Sequence, residues 1–85
     1  MHVVLHRNFD KIFIKLEKKI KTQVIEKLSL FANDAFDQTL NNHPLHGKLN
    51  GCRSININAD LRAIYVMHGA TAWFITIGTH SNLYR

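Results

Sequence analysis

The sequence predicts an α+β domain in which two helices cover one face of a four-stranded, mainly antiparallel sheet. Two patterns in the sequence predict this class. Apolar residues recur with a helical period through most of residues 8–35, whereas residues 54–77 alternate polar and apolar side chains or form short β-branched and aromatic runs. The 85 residues provide one core, so residues 1–85 are expected to form a single domain. A composition of 46% hydrophobic and 20% charged residues is typical of a folded chain rather than a disordered one.

A strand and two helices are predicted in the first half of the chain. Residues 2–6 are a short β-branched run, which is typical of a strand. From Phe9 onward the apolar side chains recur every three or four residues, and Asn8 is the predicted N-cap of this first helix. A second apolar series over residues 24–35 predicts another helix or a bent continuation of the first, and the turn is expected within residues 17–22.

Three further strands are predicted in the second half. Residues 36–51 have the asparagine, proline and glycine content of a loop. Residues 54–58 alternate polar and apolar side chains, as in a half-buried strand. Residues 61–67 and 71–77 flank a tight turn and are expected to pair as a hairpin, followed by a polar tail from residue 79. The predicted order is β-α-α-β-β-β, with the second face of the sheet open to a ligand.

Charge and cysteine content restrict the partners and the compartment. Eleven Lys and Arg residues against six Asp and Glu residues give a net charge of +5, which favours a polyanionic partner. Cys52 is the only cysteine, so no internal disulfide and no four-thiolate metal site is expected, and a reducing compartment, the cytoplasm, is the natural one. No apolar run has the length of a signal peptide or a membrane span, so no membrane partner is expected.

Four lysines lie opposite the apolar side of the first helical series: Lys11, Lys15, Lys18 and Lys19. The ordinary explanation is the solvated face of an amphipathic helix. The functional alternative is a surface that binds the polyanionic partner.

Polar residues in the second half form a set that suits acid–base chemistry. Asp60 and Arg62 have the same parity at the start of a predicted strand, so we expect both to project from one face. An antiparallel sheet can bring four further residues close to Asp60 and Arg62, namely His43, His46, His80 and Tyr84. Such groups suit phosphodiester cleavage by the ribose 2′-hydroxyl. A base removes its proton, cations stabilise the phosphorane and an acid protonates the departing 5′-oxygen, without a metal.

Each of these residues also has an ordinary structural explanation. His80 has the properties of a surface or capping histidine, and Asp60 those of a turn residue. His43 and His46, with Cys52 nearby, suggest a zinc site. The repeated close spacing of metal ligands is missing, however, so no metal and no other cofactor is expected.

Three segments of the second half carry a family resemblance. Residues 43–53 (His-Pro-Leu-His-Gly-Lys-Leu-Asn-Gly-Cys-Arg), 60–65 (Asp-Leu-Arg-Ala-Ile-Tyr) and 77–84 (Ile-Gly-Thr-His-Ser-Asn-Leu-Tyr) resemble the YafQ-like branch of the RelE/ParE superfamily of bacterial toxins. The resemblance implies a RelE-like fold and the activity of a ribosome-dependent mRNA endoribonuclease. It also implies a cognate antitoxin whose peptide wraps the toxin, and operator DNA that is bound only through the toxin–antitoxin complex.

The resemblance assigns roles to individual residues. The functional positions of the branch fall here on His43, Asn56, Asp60, His80 and Tyr84. His80 becomes a general acid or base, with Asp60 and His43 as proton-transfer or orienting partners. Tyr84 is expected to contact a base or the scissile phosphate. The expected RNA or phosphate contacts are Arg62, Arg53, Lys48, His46 and Asn56, and the four lysines become the expected ribosome contacts.

Asn56 departs from the family pattern, which has a histidine at that position. Asparagine does not exchange protons near neutral pH, so a neighbour must take over any proton transfer assigned there. Leu61 stands where an aromatic residue is common in the branch. Both departures favour the alternative function, a catalytically weak module that binds an antitoxin and acts as a transcriptional co-repressor. Gyrase inhibition, the other activity of the superfamily, is less favoured, because His43, Asp60 and His80 would have no role in it.

Overall fold

Five strands form one mixed sheet in the computed structural model, which describes residues 1–83. In chain order they are β1 (His2–Leu5), β2 (His43–Pro44), β3 (Arg53–Asn56), β4 (Leu61–His68) and β5 (Thr71–Thr79). Across the sheet the order is β1-β5-β4-β3-β2. β1 is parallel to β5, and the other neighbouring strands are antiparallel.

The strand that makes the sheet five-stranded is β2, so the predicted count of four was wrong. β2 lies in the segment predicted as a loop, where His43 pairs with Ser54 and Pro44 with Arg53. Two residues are too few to show alternation, and a proline is tolerated because β2 is at the edge of the sheet. The same segment contains two 3₁₀ turns, Gln38–Leu40 and Gly47–Leu49.

Three helices accompany the sheet: α1 (Arg7–Phe13), α2 (Lys18–Asn33) and α3 (His80–Leu83). The N-cap of α1 is His6 rather than the predicted Asn8, because His6 Nδ1 accepts a hydrogen bond from the Asn8 amide at 3.1 Å. No helix within residues 1–83 is long and apolar enough to cross a membrane.

The break between α1 and α2 falls at residues 14–17, before the expected position. Glu17, which precedes α2, has an extended backbone with a ψ of 151°. Leu16, within the break, and Ile20, in α2, pack against the same core. Because the apolar spacing continues across it, the period of the sequence did not reveal where α1 ends.

An irregularity in β5 determines which of its residues reach the core. Thr76 pairs with Ile64, whereas Phe74, two positions earlier, pairs with the next residue of β4. Ile75 is therefore an extra residue, and a β-bulge of this kind changes the alternation of a strand. As a result Phe74 and Ile77 are both buried in the core, although their spacing is odd.

The core lies between the sheet and the two longer helices. Its centre contains four aromatic side chains from both layers: Phe9, Phe31, Tyr65 and Phe74. The Phe31 ring centroid is 4.8 Å from that of Tyr65 and 5.1 Å from that of Phe74, in edge-on contacts. Such contacts add to the stabilisation that comes from burying apolar area.

The second face of the sheet is partly covered by α3. Asn56, Arg62 and Gly78 are paired across β3, β4 and β5 at one level. A β-carbon added to Gly78 would lie 3.2 Å from Leu83 Cδ2, so Leu83 rests directly on β5. Residues 80–83, which were predicted to be part of a polar tail, instead fold back as a helical turn over the face that was expected to be open.

Candidate active site

The β3–β4 turn, residues 57–60, brings an acid and a histidine to the same end of the sheet. Leu61 begins β4 and pairs with Thr79, the last residue of β5. Asp60 precedes this pair and His80 follows it, and the His80 amide donates a hydrogen bond to the Asp60 carbonyl at 3.2 Å. Both residues are exposed. The structure thus makes neighbours of two candidates that are far apart in sequence, and we refer to them as the acid–histidine pair.

Asn58 organises the turn that carries Asp60. Its Oδ1 atom accepts hydrogen bonds from the backbone amides of Asp60 at 3.0 Å and of Leu61 at 2.8 Å. Its Nδ2 atom donates to Oε1 of Gln23, in α2, at 2.9 Å. The sequence pattern did not identify either residue, because asparagine is ordinary in a turn and a glutamine on a helix has no pattern of its own.

Arg62 turns its guanidinium group back to the β3–β4 turn. Nη1 donates to the carbonyls of Asn58 at 2.9 Å and Leu61 at 3.2 Å, and Nη2 donates to the Ala59 carbonyl at 3.4 Å. These bonds hold the turn, and the five N–H donors of a guanidinium group are not all used by them. Asp60 lies in the turn and not in β4. The expectation that Asp60 and Arg62 project from the same face of one strand therefore does not apply.

Asn56 lies beside this turn, at the level of Arg62 and Gly78. Its Oδ1 atom is buried and has no hydrogen-bond partner within residues 1–83. A buried acceptor without a donor costs about 1–3 kcal/mol, so native structures contain few of them. The residue that departs from the family pattern therefore places beside the candidate site a buried oxygen that no donor among residues 1–83 satisfies.

His43, His46 and Lys48 lie farther from the acid–histidine pair. His43 Nδ1 is 2.8 Å from the Asn41 carbonyl, which favours the proton on Nδ1 of the neutral ring and leaves Nε2 as an acceptor. β3 separates β2 from β4, so the strand spacing puts His43 about 10 Å from β4. His46 and Lys48 are exposed at the turn Gly47–Leu49.

Arg53 lies on the helix side of the sheet. It shares the parity of buried Ile55, and its Nε donates to Asn42 Oδ1 at 2.8 Å. Its guanidinium carbon is 5.3 Å from the ring centroid of exposed Phe36. Asn42 in turn donates to the Tyr65 hydroxyl at 2.7 Å. These contacts hold Arg53 near the end of α2, and the structure does not bring it to the acid–histidine pair.

The four lysines considered for ribosome binding are all exposed in the helical layer. Lys11 is in α1, Lys15 is in the break after it, and Lys18 and Lys19 begin α2. They surround the break between two helices. The expectation of a stripe along one helix was therefore wrong, although the lysines remain close together in sequence.

Tyr84, the remaining candidate catalytic residue, lies outside the described residues. Within residues 1–83 no group of three histidine, cysteine or acidic side chains is arranged to hold a metal ion. Cys52, which was considered for zinc together with His43 and His46, is half-buried and has a free thiol.

Comparison with known families and proteins places the chain among relatives. Residues 1–85 match the family model described as bacterial toxin of type II toxin-antitoxin system, YafQ. No curated protein matches the chain by sequence.

Solved structures of bacterial toxins have a similar fold. The crystal structure of YafQ from E. coli strain BL21(DE3) has a TM-score of 0.79 at 22% identity, covering 98% of this chain and 97% of that one. The YoeB/ParE toxin from Agrobacterium tumefaciens has a TM-score of 0.77 at 18% identity, covering 94% and 99%. The E. coli DinJ–YafQ complex has a TM-score of 0.75 at 23% identity, covering 98% and 97%. The predicted α+β, RelE-like class is confirmed, with five strands rather than four.

Proposed function

The chain belongs to the YafQ family of toxins of type II toxin-antitoxin systems, and we propose that it acts in such a system by cleaving mRNA on the ribosome. The observation that carries this proposal is the hydrogen bond between the backbones of His80 and Asp60. It holds the backbones of a histidine and an aspartate side by side at one end of the sheet, where both residues are exposed and accessible to a large substrate. Imidazole exchanges protons near neutral pH, as acid–base cleavage of RNA requires.

The proposed reaction is an attack by the ribose 2′-hydroxyl on the adjacent phosphate. A base removes the 2′ proton, the 2′-oxygen bonds to phosphorus, and the bond from phosphorus to the 5′-oxygen breaks as an acid protonates that oxygen. His80 is the acid or base, with Asp60 and His43 as proton-transfer or orienting partners. The N–H groups of Arg62 that do not bond to the turn are available to stabilise the charge on the phosphorane.

The remaining groups in this proposal bind or orient RNA. Asn56 is half-buried, and the accessible part of its side chain is proposed to contact RNA or phosphate. His46 and Lys48 are exposed and available to the phosphates that flank the cleaved bond. Tyr84 is proposed to contact a base or the scissile phosphate.

We also propose that a cognate antitoxin binds this chain in the cytoplasm and that the complex binds operator DNA. The structurally similar E. coli YafQ is in a complex with DinJ. The net charge of +5 supports binding to an acidic partner, whether this is the ribosome or an antitoxin.

Expression of the chain alone tests the proposed activity. Growth should stop, and new 5′ ends should appear in transcripts at preferred positions within translated codons, whereas free RNA should be cleaved poorly. The His80→Gln variant, expressed to the same soluble level, is the matched control. Normal growth with no new transcript ends from soluble wild-type protein would contradict the ribonuclease and favour the antitoxin-binding module.

A further inference from the structure

One side chain in the β3–β4 turn bonds to the turn with one end and to a helix with the other. Asn58 Oδ1 accepts from the Asp60 and Leu61 amides, and Asn58 Nδ2 donates to Gln23 Oε1 at 2.9 Å. Gln23 lies in α2, 35 positions earlier in the chain, and both side chains are half-buried. The local bonds give the turn its shape, whereas the bond to Gln23 sets its position relative to the helical layer.

The position of this turn matters because the acid–histidine pair depends on it. Asp60 belongs to the turn, and its carbonyl accepts the hydrogen bond from the His80 amide. A displacement of the turn therefore moves the carboxylate and the backbone acceptor of the histidine together. Catalytic groups must stay within hydrogen-bond reach of the reacting atoms, and an error of about 1 Å can cost about 10²-fold in rate.

We propose that the hydrogen bond between Gln23 and Asn58 positions Asp60 and His80 for catalysis. Gln23 and Asn58 are positioning residues, since neither is required to touch the RNA. The inference rests on the ribonuclease function proposed above. It predicts that cleavage depends on having one donor and one acceptor at this contact, whichever residue supplies each.

Exchanging amides for carboxylates tests that dependence. Gln23→Glu keeps an acceptor for Asn58 Nδ2 and should cleave nearly as fast as the wild type. Asn58→Asp keeps the acceptor for the two amides, and the Gln23 amide can turn to donate, so this variant should also cleave well. The double variant places two carboxylates in contact without a donor, and its cleavage should fall by about 10²-fold.

The measurement is single-turnover cleavage of mRNA on programmed ribosomes, with ribosome affinity and thermal melting measured alongside. The double variant should bind ribosomes as tightly as a control that adds the same charge elsewhere, Asn33→Asp/Gln38→Glu, on two exposed residues. If the double variant unfolds at the assay temperature, Gln23→Leu, which removes the acceptor without adding charge, takes its place and should lose at least about tenfold.

The outcomes separate this inference from the proposed function. Wild-type protein that does not cleave mRNA on ribosomes refutes the function, and the positioning role falls with it. An active wild type with a folded double variant that cleaves as fast as the single variants refutes only the positioning role. Loss of ribosome affinity in step with cleavage also refutes it, because positioning alters the reaction and not the binding.

Discussion

His80 is the residue whose substitution best separates chemistry from binding. Glutamine keeps hydrogen-bonding capacity and approximate size but does not titrate, and the bond to Asp60 uses only the backbone of residue 80. His80→Gln should therefore lose about 10²–10⁴-fold in single-turnover cleavage, while ribosome affinity changes by less than about 1 kcal/mol. Cleavage near the wild-type rate would make His80 structural and direct the search for the acid to His43 or His46.

The Oδ1 atom of Asn56, which has no hydrogen-bond partner within residues 1–83, predicts opposite effects of one substitution on stability and on activity. Asn56→Val removes a buried acceptor that has no partner in the described part of the chain, and it places a β-branched residue in β3. The free energy of unfolding should rise by about 1 kcal/mol in denaturant titrations, and cleavage should slow because an RNA contact is lost. Asn56→His adds a group that titrates and should speed cleavage. A valine variant that is less stable, or fully active, contradicts this account.

Residue types revealed part of the site in advance. Asp60 and His80 could be identified because a carboxylate and an imidazole beside the ends of predicted strands can act as acid or base. Arg53 was instead expected to contact RNA or phosphate, although the parity that it shares with buried Ile55 places it on the helix side of the sheet. Gln23 and Asn58 could not be predicted, because their importance comes from a contact between segments 35 positions apart, and no local pattern encodes it.

At the scale of elements, the contact between α3 and β5 predicts that a larger residue at position 78 lowers cleavage and that a smaller residue at position 83 restores it. A β-carbon at Gly78 would be 3.2 Å from Leu83 Cδ2, so Ala requires a small shift and Val a larger one. Because α3 begins at His80, Gly78→Val should lower cleavage far more than Gly78→Ala does. Gly78→Val/Leu83→Ala makes room for the new side chain and should recover activity.

The same cleavage assay and thermal melts check this prediction. An inactive but folded Gly78→Val variant that Leu83→Ala fails to rescue would show that crowding against α3 is not the cause. Full activity of Gly78→Val would show that the position of α3 does not affect His80.

Some strands could be predicted from the local sequence pattern, and others could not. The hairpin of β4 and β5 was predicted correctly because both strands are long and flank a turn at Gly69, which has a φ of +59°. The bulge at Ile75 and the edge strand β2 were not predicted, since both depend on what lies on the neighbouring strand. Such features depend on pairing with a neighbouring strand, and the local periodicity of the sequence carries no information about that pairing.

For the whole molecule, the distribution of charge predicts which residues contribute to the proposed binding of ribosomes. Replacing Lys11, Lys15, Lys18 and Lys19 by Gln should weaken ribosome binding and flatten its salt dependence, with no change in thermal stability, because all four are exposed. Lys21→Gln/Lys27→Gln, at two half-buried positions of α2, controls for net charge when compared with Lys18→Gln/Lys19→Gln, which removes the same two charges. Unchanged binding at several salt concentrations would leave the four lysines as a solvated surface.

The family resemblance of residues 43–84 is confirmed by the family match over the whole chain. The fold class also followed from the sequence, because the switch from helical period to alternation divides the chain into two kinds of structure. The parallel placement of β1 beside β5 could not be predicted from the sequence, since one short β-branched run pairs equally well with either edge of a sheet.

That parallel pairing has a consequence for when the protein becomes active. β1 pairs residues 2–5 with residues 71–74, so the sheet is completed only after residues 71–74 have been synthesised. Pairing between such distant segments is slow, because the long intervening segment must first be closed into a loop. We expect nascent chains that are stalled with residues 71–74 inside the ribosomal exit tunnel to be digested readily by protease, and released chains to resist it. Resistance of the stalled chains would contradict this order of events. The proposed ribonuclease therefore completes its sheet only after residues 71–74 have emerged from the ribosome that synthesises them.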